Sequence, residues 1–170
     1  MLFSLAFLTL QDCTPFQAIS AASVAGYDQI GLRLLPATPE ESDYPLLHDK
    51  AMLREVQSML SDNKLSVGEI ELVRLGTSCS ICGFEPLLER AGELGAHHLV
   101  VVNDDPNPRR FLERMEDLCE RAAPYGLTVN IEPMTWTAIP DLATAKDWLA
   151  SVRHANAGIM VDALHFHRGR

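Results

Sequence analysis

The sequence is poor in the features that mark several protein classes. Four cysteines in 170 residues, Cys13, Cys79, Cys82 and Cys119, lack the regular spacing of a secreted disulfide framework, so a reducing cytoplasm is the expected compartment. No apolar run approaches the roughly 20 residues a membrane helix needs, and no membrane association is expected. Lys and Arg number 14 against 23 Asp and Glu, giving a net charge of −9. They are scattered, with no basic run and no interleaved aromatics to follow a phosphate backbone, which argues against a nucleic-acid partner. The apolar opening Met1 to Leu10 has no positive n-region, and Gln11-Asp12-Cys13 offers no small-residue cleavage site, so the segment reads as a first strand, not a signal core.

What remains is ordinary globular composition, 47% hydrophobic, enough for one sizeable core. A single domain over 1–170 is expected. Short β-rich runs alternate with amphipathic stretches down the chain, the signature of successive parallel βα units. The strands are expected at Leu2–Leu10, Tyr27–Leu34, Leu65–Leu75, His97–Asn103, Leu127–Glu132 and Ala157–Asp162. Between them, Thr14 as N-cap and Pro15 at the first helical position open a helix that closes near Gly26. A polar loop with Pro36, Pro39 and Pro45 precedes a helix over Asp49–Leu60, with Met52, Val56, Met59 and Leu60 on one face. Further helices are expected over Phe84–Leu94, from Asn107 or Pro108 to Tyr125, and over Leu142–Val152, with no sixth helix. Such units suit either an open doubly wound sheet or a closed eightfold barrel. The first βα turn, Thr9 to Thr14, lacks the Gly-rich phosphate loop that would favour a nucleotide-binding sheet.

Two carboxylates stand at the C-terminal ends of neighbouring strands, Glu132 on the fifth and Asp162 on the sixth, where barrel enzymes place their active sites. Side by side they would repel and raise each other's pKa, whereas a divalent cation turns that repulsion into coordination. His165 and His167 follow closely, and a mixed oxygen and nitrogen set suits Mn²⁺, Mg²⁺, Co²⁺ or Zn²⁺. The structural alternative is that Glu132 pairs with a nearby Arg and Asp162 caps a turn. Asp104, in the Asn103-Asp104-Asp105 run, and Trp136 are further candidates for substrate contact, against roles as a helix-capping acid and a loop anchor. Arg33, Glu69 and Glu71 lie on strands whose alternation sends some side chains inward. Cys79-Ser80-Ile81-Cys82 has redox or half-zinc spacing but no second pair, and His97-His98 begins the fourth strand at the end away from the expected active face.

Ala25-Gly26-Tyr27-Asp28-Gln29-Ile30-Gly31-Leu32, then Asn130-Ile131-Glu132-Pro133, then Val161-Asp162-Ala163-Leu164-His165 resemble successive landmarks of the xylose isomerase-like TIM-barrel superfamily of sugar phosphate isomerases and epimerases. The resemblance implies an α/β fold of parallel β/α repeats with about six of eight units present, an incomplete barrel lacking the last two. It also implies a divalent metal on Glu132 and Asp162, with His165 against the substrate and Glu132 and His165 as the catalytic pair. The implied activity is isomerisation or epimerisation of a small sugar, sugar phosphate or related hydroxy-carbonyl compound, with the metal as Lewis acid. Ketose 3-epimerases carry a second Glu where this chain has Ala138. A Trp four residues after the Glu, Trp136 here, is similar to the dehydroshikimate dehydratase branch, so a lyase is the alternative. In the superfamily a further His and Glu ligand come from strands seven and eight. Their absence brings in two other expectations: a non-catalytic remnant of the fold, and a homo-oligomer formed through the exposed barrel edges. An AP-endonuclease reading would require more metal-binding histidines and a basic DNA face.

Overall fold

Thr14 accepts the backbone N–H of Gln17, and the Gln17 side chain reaches back to the Thr14 N–H, a capping box that starts the first helix beside Pro15. Gly26, in the left-handed region at φ 79°, ends it. Signals of this kind recur along the chain. The computed structural model describes residues 1–38, 40–41 and 43–169. Pro39 of the expected proline loop and the terminal Arg170 lie outside the described residues. The order is β1 (Ser4–Leu5), α1 (Pro15–Ala25), β2 (Gln29–Arg33), α2 (Lys50–Asp62), β3 (Ser66–Gly76), α3 (Glu85–Glu93), β4 (His98–Asp104), α4 (Pro108–Ala122), β5 (Thr128–Ile131), α5 (Leu142–Leu149), β6 (Ala157–Ile159) and α6 (Ala163–Arg168).

All six strands pair in parallel in the order β1-β2-β3-β4-β5-β6, an open TIM-barrel-like sheet that amounts to an incomplete barrel. The helices cover its outer face. Ile30, Leu32, Ile70, Val73, Leu99, Val101, Val129 and Ile131 join one apolar cluster with Ile19, Val56, Leu88 and Phe111 from the helices. In α4, Phe111, Met115, Leu118, Cys119 and Ala122 follow helical spacing and are wholly buried. Each of the larger ones contributes about 1.5–3 kcal/mol by leaving water. In α2 the buried face is Leu53, Val56 and Leu60, with Met52 and Met59 at its margin.

Two expectations are corrected. The first strand is only Ser4–Leu5, and Phe7–Leu10 forms a 3-10 turn. As an edge strand it has a ladder partner on one side only, and Phe7 leaves the sheet to pack under the Arg33 guanidinium, 4.5 Å from the ring centroid, and against Tyr44. A sixth helix is present, because the Asp162 side chain accepts the His165 N–H at 2.8 Å and nucleates the short α6. Strand six correspondingly stops at Ile159, with Met160 N–H still donating to Ile131.

β3 carries two bulges. Gly31 stands opposite both Gly68 and Glu69, and Val100 opposite both Glu71 and Leu72. Strict alternation fails at each, and both glutamates turn to the inner face.

Candidate functional site

Glu132 follows the last residue of β5, yet its N–H still donates to Val101 of β4 at 2.9 Å, so it remains in register with the sheet. Pro133 has no N–H to extend the ladder, and the chain turns away there. The Glu132 side chain is left at the inner rim, 8% exposed. From the neighbouring strand, Asp162 stands at the entry of α6, and one turn later His165 comes back over Glu132, Nε2 to Oε1 at 3.9 Å. The three side chains each offer a ligand atom, all within 4.8 Å of one another.

Burial, and then the charges of Asp162 and Glu71, push the Glu132 carboxyl up to about 7. Among the described residues no Arg pairs with it. The structural alternative is half met: Asp162 does cap a helix, while its carboxylate remains close to Glu132. His165 keeps a buried Nδ1 without a hydrogen-bond partner. A buried acid raised by a neighbouring carboxylate, beside an imidazole with an unsatisfied nitrogen, is a donor set that fits a divalent cation. Ligand atoms around a tetrahedral ion stand about 3.4 Å apart, so side-chain adjustments of roughly 1 Å would draw these three onto one cation.

Trp136 stands edge-on to His165, ring centroids 5.0 Å apart and planes at 80°, with 63% of its surface exposed. It also lines a groove of about 230 Å³ with Asp104 and Pro106. Asp104 itself is engaged by Arg74 at 2.9 Å, both side chains 37% exposed. Its neighbour Asp105 is buried against Arg110 and Arg114 and accepts the Asn107 N–H, a structural role. A second cavity, about 360 Å³, adjoins the cluster and is lined by Pro133, Leu142, Asp162, His165 and Phe166. His167 is exposed and outside the cluster. Cys79 and Cys82 are free thiols, Cys82 on an exposed turn.

The inner face adds groups that alternation left undecided. Glu69, Glu71, His98, Val100 and Asn130 line a cavity of about 360 Å³ within the open barrel. Burial pushes the carboxyls of Glu69 and Glu71 up, and Ser4 Oγ donates to Glu69 at 2.9 Å. Arg33, 5% exposed, donates to Glu71 from Nη2 at 3.1 Å. His98 contacts Thr128 Oγ1 at 2.6 Å at the opposite end of β4 from Asp104, which fits its expected place away from the acidic rim. A sequence signal did exist: an Arg and a Glu on adjacent strands, with glycines facing large polar side chains. A Cβ on Gly31 would collide with the Glu69 carboxylate, and one on Gly158 with the Asn130 amide.

Known proteins share this fold. The chain superposes on D-psicose 3-epimerase in the presence of D-fructose with a TM-score of 0.82 and 15% identity, covering 99% of this chain and 65% of that one. It superposes on the probable 3-DHS dehydratase AsbF involved in petrobactin synthesis from Bacillus anthracis with a TM-score of 0.81 and 18% identity, again 99% of this chain and 65% of that one. The IOLI protein with a bound zinc atom gives 0.78 and 18%, covering 98% and 64%. The chain thus spans just under two thirds of the length of these proteins, and the likeness is one of fold. No curated protein sequence matches it. No helix among the described residues is long and apolar enough to cross a membrane. The family described as "Xylose isomerase-like TIM barrel" matches residues 19–170, and the chain belongs to that family.

Proposed function

We propose that this chain is a metal-dependent isomerase or epimerase of a small sugar, sugar phosphate or related hydroxy-carbonyl compound. The observation that carries the reading is the convergence of Glu132, Asp162 and His165, with ligand atoms within 4.8 Å, at the C-terminal rim of a parallel βα array. Glu132 and Asp162 are the carboxylate ligands of a divalent metal, and His165 offers a ring nitrogen to the metal or to the substrate. A bound cation of this kind supplies Lewis-acid polarisation of a substrate oxygen. The chain's own groups do the rest. His165 Nε2, 3.9 Å from Glu132, is placed to hold or pass a proton, and Trp136 holds the imidazole edge-on while walling the substrate side. Asp104, across the groove from Trp136, is the outer polar contact. Proteins of similar fold include an epimerase and a zinc-binding protein, which supports the reading.

Mn²⁺ titration by calorimetry tests it. We expect measurable affinity in the wild type and at least a tenfold loss in Glu132→Gln, because one anionic ligand becomes a neutral amide. No Mn²⁺ or Mg²⁺ affinity, with nothing lost on that substitution, makes the chain a non-catalytic remnant of the fold. A lyase of the dehydroshikimate dehydratase kind is the second reading, favoured by Trp136 standing on His165 and by the likeness to the probable 3-DHS dehydratase. NMR in D₂O separates the two: an isomerase or epimerase incorporates deuterium at carbon without loss of water, whereas a lyase forms a dehydrated product.

A further inference from the structure

The connection from Arg33 to Lys50 is long for a βα loop, and long loops at the C-terminal rim of a barrel are where ligand contacts gather. Within it, one carboxylate is gripped by three donors, two from the loop itself and one from β2. Glu41 Oε2 accepts the backbone N–H of Ala37 at 3.0 Å and the Tyr44 hydroxyl at 3.0 Å. Arg33 Nη1 donates to both Glu41 oxygens, at 3.1 and 3.2 Å. Arg33 and the acceptor differ in how they are held. The Arg33 side chain is 4% exposed, tied to Glu71 and seated over the Phe7 ring, so its fork is fixed by the sheet. Glu41 comes from the loop and is 28% exposed. Moreover, Arg33 Nε is buried with no partner, so the guanidinium has donor capacity that its present contacts do not use.

We propose that Arg33, Tyr44 and the Ala37 N–H form a carboxylate-binding subsite, filled in this structure by the chain's own Glu41, which takes the carboxylate of a small hydroxy acid when Glu41 swings out. The exchange is conservative in charge: one carboxylate replaces another opposite the same guanidinium, so Arg33 and Glu71 keep their balance. Burial would raise the Glu41 carboxyl, but the Ala37 N–H, the Tyr44 hydroxyl and Arg33 together hold it below its ordinary range, as a site built for an anion should. The inference deepens the hydroxy-carbonyl reading and rests on it, naming the acid end of the substrate.

The test is a calorimetric titration with gluconate and with its uncharged counterpart glucitol, in EDTA, so that no metal contributes. Glu41→Ala frees the subsite, and intrinsic affinity is no longer divided by the fraction of time the site is open. We expect gluconate to bind at least tenfold more tightly to Glu41→Ala than to the wild type, with glucitol unchanged. Adding Tyr44→Phe should return most of that gain. Equal gluconate affinity in wild type and Glu41→Ala, or an equal gain for glucitol, overturns the proposal. If Glu41→Ala does not fold, Glu41→Gln keeps the shape and removes the competing charge. No gain for gluconate in that variant makes the contact a structural latch and overturns the proposal equally. Because the titration is metal-free, its failure leaves Mn²⁺ binding at Glu132 standing, and absence of Mn²⁺ binding leaves a gluconate result standing.

Discussion

The two faces of the one sheet are built on different terms. On the outer face, aliphatic side chains from every strand except β6 lie fully or almost fully buried in a cluster closed by the helices. On the inner face a small apolar group, Leu72, Val100, Val102 and Met134, shares the surface with the polar Glu69, Glu71, Asn130 and Glu132. Close packing makes the first face intolerant of volume change, and it holds the fold. Buried carboxyls raise the free energy of the second, and sites of chemistry are where such groups are retained. Stability and the candidate site are thereby divided between opposite sides of the same strands.

The sharpest way to break that division is to remove volume from the outer layer. Phe111, wholly buried and 5.6 Å from the Trp148 ring, should cost about 3–5 kcal/mol on replacement by Ala, read by urea denaturation. Glu69→Gln on the inner face should be close to neutral or stabilising, since it removes a carboxyl that burial already disfavours in its charged form. A Glu69→Gln variant as damaged as Phe111→Ala would mean that the inner face carries the fold as well.

The next effect is in pH. Glu132 titrates at about 7 when folded against an ordinary 4.5, so below that ordinary value both folded and unfolded chains hold the proton and nothing is lost. Between the two values the unfolded chain releases its proton and the folded one keeps it. Stability of the metal-free protein therefore falls as pH rises through this window, by about 3 kcal/mol once pH exceeds 7. Glu69 and Glu71, also raised by burial, act in the same direction. Denaturation in EDTA at pH 5 and pH 8 should show most of this loss in the wild type, and a markedly smaller one in Glu132→Gln. Equal losses in both would place the cost elsewhere on the inner face.

Much of this was legible in the chain, and the reasons differ by residue. Thr14-Pro15 and Asn107-Pro108 announce helix starts because capping is local chemistry; the Asn107 side chain accepts the Arg110 N–H at 3.1 Å, and Asn107→Ala should cost about 1 kcal/mol in the same denaturation assay. Glu132 and Asp162 were legible because a carboxylate closing a β-rich run needs no tertiary information to be placed at a strand end. The inner orientation of Glu69 and Glu71 was not, because two bulges break the period of two on which strand reading rests. The length of β1 was hidden as well, since an apolar run does not reveal that Phe7 stacks on a guanidinium from β2 instead of extending the ladder. Nor does α6 have enough residues to show a helical period, so its start rests on the Asp162 cap alone.

The smallest effect bears on where the inner face ends. Asp104 closes β4 and lines the groove with Trp136, yet its carboxylate meets Arg74 at 2.9 Å with both partners more than a third exposed. An exposed pair of this kind contributes about 0–1 kcal/mol, and salt screens it. Asp104→Asn should therefore lower stability by less than about 1 kcal/mol, with the difference disappearing at 1 M NaCl. If the groove is only surface, nothing else changes. If it is the outer wall of the substrate site, KM rises while kcat and Mn²⁺ affinity stay as they were, because Asp104 is not among the ligand-bearing side chains Glu132, Asp162 and His165 and would contact only the ligand's periphery. A shift in KM alone would thus place the end of β4 in the substrate site beside the rims of β5 and β6.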